Sequence, residues 1–106
     1  MSEFEPVIQA RDLGPGDLKE VEAHGRKVAL TNIAQTYYAF DAACPIDGTN
    51  LATAGEVEGE VLRCPSDDSA YDLRTGDCIE PEDGPALQRY AIRVEGNAVK
   101  IGPPLD

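Results

Sequence analysis

Short apolar runs recur about every ten residues along this chain, and nearly all are closed by glycine, proline or asparagine. That rhythm suits strands and turns and leaves no room for a long amphipathic helix. Alternation places strand candidates at residues 6–10, 19–23, 26–31, 36–40, 60–63, 70–73, 88–94 and 98–101. His24-Gly25 is a two-residue hairpin signal between the second and third of these. Arg74-Thr75-Gly76-Asp77 and Glu95-Gly96-Asn97 read as turns, as does the run from Asp12 to Gly16. Many short strands at even spacing mean an all-β antiparallel barrel or sandwich. With 106 residues there is material for one core, so residues 1–106 are expected to form a single domain. Tryptophan is absent and there are 2 Phe and 4 Tyr, so aliphatic side chains must fill most of that core.

Charge excludes several functions. Lys and Arg number 9 against 20 Asp and Glu, a formal net charge of −11. Such a surface repels nucleic-acid phosphates and an anionic membrane face. No apolar stretch approaches the ~18 residues that would span a bilayer. The acidic N-terminus Met-Ser-Glu-Phe-Glu lacks a signal pattern, so the cytoplasm is the expected location. Between Glu56 and Asp83 there are ten acids and two bases, Arg63 and Arg74. Two readings stand: a solvated, solubilising surface, or a face that steers the protein toward a basic partner.

Three cysteines, Cys44, Cys64 and Cys78, are an odd number for a compartment that keeps thiols reduced. Cys44-Pro45 and Cys64-Pro65 lie in a segment, 42–72, that differs from its flanks. Proline removes a backbone donor and stiffens the loop after each thiol. Two stiffened thiol loops suggest a small metal-binding subdomain carried on the barrel. Cys78 follows the turn at Gly76-Asp77 and reads as a strand residue.

The run Cys44-Pro45-Ile46-Asp47-Gly48-Thr49-Asn50-Leu51 resembles the first cluster loop of Rieske-type ferredoxins, Cys-Pro-His-x-Gly-x-x-Leu. Seventeen residues separate Ile46 from Cys64. The second run, Cys64-Pro65-Ser66-Asp67-Asp68-Ser69-Ala70-Tyr71-Asp72, resembles the second loop, Cys-Pro-x-His-Gly-x-x-Phe-Asp. Asp72-Leu73-Arg74-Thr75-Gly76, Pro81 and the segment 90–96 extend the likeness, as do Val28-Ala29-Leu30 and Tyr37-Tyr38-Ala39-Phe40-Asp41 upstream. The resemblance implies a Rieske fold, an antiparallel barrel or sandwich with a two-loop subdomain. It further implies a setting in a multicomponent redox system, such as a ring-hydroxylating dioxygenase or a nitrite-reductase-like complex. The partner would be a protein, a reductase or an oxygenase component.

In that family two cysteine thiolates hold one iron of a [2Fe–2S] cluster and two histidine imidazoles hold the other. By the resemblance, Cys44 and Cys64 are the thiolate positions, while Ile46 and Asp67 stand where the imidazoles belong. Isoleucine has no donor atom, and a carboxylate is a poor electronic substitute for imidazole on iron. Asp68 replaces the family's glycine, and His24, the sole histidine, lies outside both loops. A normal Rieske cluster is therefore not expected.

Three readings remain open. The fold is kept as an interaction or accessory module, with Cys44 and Cys64 as buried thiols or a local disulfide and with Asp67, Asp68 and Glu82 on the partner-binding rim. In keeping the fold without a cluster the chain resembles the small subunit of assimilatory nitrite reductase, a family that commonly lacks the two cysteines as well. Alternatively, the chain transfers electrons through a modified [2Fe–2S] or a single Zn or Fe held by Cys44, Cys64 and Asp67, with Asp47 or Asp68 as further oxygen donors. As a third reading, a small enzyme uses the emptied loops, with Asp67 or Asp68 as acid or base; no other residue looks catalytic.

Overall fold

The computed structural model describes residues 4–46, 48–65 and 68–105. The large sheet is antiparallel and six-stranded, ordered β1-β10-β9-β4-β3-β2. Its strands are β1 (Glu5–Gln9), β2 (Leu18–Ala23), β3 (Arg26–Ile33), β4 (Thr36–Asp41), β9 (Arg89–Glu95) and β10 (Ala98–Leu105). A second antiparallel sheet runs β5 (Glu56–Glu58), β6 (Val61–Cys64), β7 (Ser69–Asp72), β8 (Cys78–Glu80). One short helix, α1 (Leu51–Ala54), precedes it. The all-β expectation holds.

The eight expected strands are all present, with boundaries shifted by one to four residues. β5 and β8 were not foreseen. Each has only three residues, too few to show a period, and glycine or proline stands at their ends. Cys78 opens β8, so it is the strand residue expected.

His24 and Gly25 turn β2 into β3 with φ of 52° and 75°, the left-handed pair that matches strand twist. β3 turns into β4 through Ala34 and Gln35, also left-handed at 50° and 72°, without a glycine. Buried Asn32 supports this end: its side chain donates to the Leu13 carbonyl at 2.9 Å and accepts from the Gln35 amide at 2.9 Å.

Alternation along β3 and β4 divides the interior in two. Val28, Leu30 and Ala39 face one core with Leu13, Tyr90, Val99 and Ile101. Ala29 and Phe40 face the other, between the large and small sheets, with Leu51, Leu62, Tyr71, Leu73 and Leu87. All three cysteines belong to this second core.

Candidate functional site

The first Cys-Pro loop hangs between the end of β4 and α1, fastened at both ends. The Ala42 amide donates to the Lys27 carbonyl of β3 at 3.1 Å, and the Leu51 amide to the Ala42 carbonyl at 2.6 Å. Within the loop the Cys44 amide donates to the Thr49 carbonyl and the Gly48 amide to the Cys44 carbonyl, at 2.8 and 2.9 Å. Gly48 sits at φ 78°, which explains why glycine is needed there. Asn50 caps α1, its side-chain oxygen accepting from the Ala52 and Thr53 amides. Gly55 closes α1 where a Cβ would collide with the helix's own Leu51 carbonyl and crowd the Leu62 side chain of β6.

The second loop joins β6 to β7. Cys64 ends β6 and pairs with Ser69, the first residue of β7. Pro65 and Asp68 are exposed, and Asp68 adopts φ 60°. A left-handed residue is where glycine belongs; aspartate tolerates it at some cost. Asp47, Ser66 and Asp67 lie outside the described residues, so the positions proposed for Asp67 as ligand and rim residue have no structural description.

Cys44 and Cys64 are buried, 3% and 0% exposed, and the structure carries all three cysteines as thiols. The Cys44 Sγ lies 3.7 Å from the Tyr71 hydroxyl and 3.9 Å from the Ser69 Oγ. Neither hydroxyl was singled out from sequence. The available signal was spacing: Ser69 and Tyr71 are two apart on a strand and so share a face. Burial raises the Tyr71 phenol pKa, the Ser69 hydroxyl opposes this and Cys44 adds to it. The phenol therefore keeps its proton and can donate it to sulfur.

Ile46, two residues beyond Cys44, is 44% exposed at the loop tip. His24 is tied elsewhere, with its Nε2 3.0 Å from the Ile101 carbonyl of β10 and its amide donating to Glu5. Among the described residues no group of three or more His, Cys, Asp and Glu could hold a metal ion. Glu82 is exposed, as are Glu56, Glu58, Glu60, Asp77, Glu80 and Asp83.

Residues 3–102 match the model of the Rieske-like [2Fe-2S] domain. The chain belongs to that family. It is 26% identical over 98 residues to the biphenyl dioxygenase ferredoxin subunit of Pseudomonas sp. (strain KKS102), covering 92% of this chain and 90% of that one. It is 34% identical over 76 residues to cholesterol 7-desaturase nvd of Hemicentrotus pulcherrimus, covering 71% of this chain but only 16% of the desaturase. In shape it matches a chain of the complex of reduced oxygenase and oxidized ferredoxin in carbazole 1,9a-dioxygenase, with TM-score 0.88, 22% identity and full coverage of both chains.

At the ligand positions that the sequence resemblance assigns, the residues here supply two thiols and neither imidazole. Cys44 and Cys64 supply two sulfurs facing one core. The Ile46 side chain offers no donor atom, and Asp67 offers oxygen in place of nitrogen.

Proposed function

We propose that this chain is the small acidic component of a multicomponent redox or oxygenase system of the cytoplasm, and that it acts by docking to a protein partner. It does not hold a normal Rieske cluster. The observation that carries this reading is Ile46, exposed at the loop tip where the family has a ligating imidazole. Two irons in the mixed-ligand cluster need two nitrogen donors as well as two thiolates, and this chain has a single histidine, engaged with β10.

Docking is supported by charge. Of the nine acids among the described residues between Glu56 and Asp83, eight are exposed and none is buried, so this acidity lies on the surface. The two bases in that segment are already occupied: Arg63 lies 4.0 Å from Glu80, and Arg74 lies 3.2 Å from Asp72 and 3.9 Å from Glu60. The remaining field is negative and suits the basic surface of a reductase or oxygenase component. A ferredoxin of this shape docked to an oxygenase is the arrangement named for the carbazole 1,9a-dioxygenase complex.

The test is a spectrum with iron analysis. Protein expressed with ample iron and purified anaerobically should lack the Rieske chromophore, and dithionite reduction should give no rhombic Rieske EPR signal. Such a signal from the wild-type chain overturns the reading.

A further inference from the structure

We infer that Cys44 and Cys64 form a dithiol site that hydrogen peroxide oxidises to an intramolecular disulfide, welding the first loop to β6. The inference rests on the reading above, that no normal cluster claims the two sulfurs. It starts from strand register. Cys64 pairs with Ser69 and Leu62 with Tyr71 across β6 and β7. Residues two apart share a face, so these four side chains all point into the core between the sheets, where all four are buried. Directly opposed side chains of an antiparallel pair stand about 5 Å apart at Cβ. Cys44 descends on that same face from the other sheet, its sulfur 3.9 Å from Ser69 Oγ. Ser69 is therefore a neighbour of both thiol side chains, across the strand pair for Cys64 and at its hydroxyl for Cys44. Cys78 enters the same core from the opposite edge of β7, where it pairs with Tyr71 and packs against Gly84.

Cys44 is met first, because it keeps 3% of its surface exposed and Cys64 keeps none. Its sulfur attacks one peroxide oxygen; the S–O bond forms, the O–O bond breaks, and the thiol proton leaves with the departing hydroxide as water. The product is a sulfenic acid. The Cys64 sulfur then attacks the Cys44 sulfur, the S–S bond forms, the S–O bond breaks, and a second water leaves carrying the Cys64 proton. Two thiols lose two electrons and one peroxide becomes two waters. An apolar core with a thiol beside the sulfenic acid favours this condensation over further oxidation.

Peptide mapping tests it on the full chain. Metal-free, reduced protein is treated with one equivalent of hydrogen peroxide, alkylated and digested with trypsin. Cleavage after Lys27, Arg63, Arg74 and Arg89 places Cys44, Cys64 and Cys78 on three separate peptides. The expected product joins peptides 28–63 and 64–74 with loss of two hydrogens, leaves Cys78 alkylated, and separates with dithiothreitol. It should form equally in Cys78→Ser, while Cys64→Ser should accumulate a dimedone-trapped sulfenic acid at Cys44. Linkage through Cys78, sulfinic acid instead of a disulfide, or three fully alkylated cysteines in the wild-type chain overturns the inference. That mapping does not depend on any variant folding. A Rieske spectrum removes the docking reading beneath it, whereas a colourless chain without the joined peptide removes this inference alone.

Discussion

Cys44 and Ile46 are two residues apart and end in opposite environments, one sulfur in the core and one aliphatic side chain in water. On the reading proposed above, the replaced ligand position is therefore a surface one, while Cys44 and Cys64 are buried. Ile46→His together with Asp67→His should restore the nitrogen donors, and Asp68→Gly should add to the effect, because glycine adopts φ 60° without strain. Iron per chain and the EPR signal measure it; a triple variant that takes up no iron means that the loop backbone does not fit the cluster. Tyr71→Phe removes a buried hydroxyl from the Cys44 sulfur and should cost about 1 kcal/mol in urea unfolding. The two Cys-Pro pairs mark Cys44 and Cys64 in the sequence, and the structure brings both into one core. Ser69 and Tyr71 were not legible there, because a hydroxyl reveals its partner only once strand pairing fixes which loop lies over it.

Elements were legible where alternation had room to repeat, as in β3 and β9, and illegible where it did not, as in β5 and β8. Turn chemistry shows the same limit. His24-Gly25 announces its left-handed pair, but Ala34-Gln35 hides one, since neither residue favours positive φ. Replacing it by Asn-Gly should raise stability by about 1 kcal/mol, read as a higher denaturation midpoint with an unchanged m-value. The turn after β7 carries a pH response. Asp72 accepts hydrogen bonds from the Arg74 side chain and amide, which hold its carboxyl pKa below the ordinary 3.8. A depressed folded-state pKa stabilises the fold above the unfolded value, and the contribution is lost as pH falls through the folded one. Asp72→Asn should therefore flatten the stability profile below about pH 4 and be felt as a constant loss above it.

Over the whole molecule the docking reading proposed above makes the charge distribution set how the protein would meet a partner. Exposed like charges act over about 8 Å at physiological salt, so they change encounter more than residence. Reversing Asp67, Asp68 and Glu82 to Lys should slow association with the partner component by several-fold and leave dissociation nearly unchanged, as followed by stopped flow at two ionic strengths. A wild-type association rate in that variant would mean that the acids serve only solubility.

β3 contributes alternate side chains to both interiors, so its backbone is a party wall between two compartments. Opening the thiol-bearing compartment requires the four short strands to lift away, and none of these is longer than four residues. Opening the other requires the six-stranded sheet to come apart, and with it everything. Amide exchange should therefore fall into two tiers, with β6 and β7 protons lost through a partial opening at low denaturant and those of β3 lost only with global unfolding. Clamping the first loop to β6 by a sulfur bond would merge the tiers, turning a molecule with a hinged lid into one that melts in a single step.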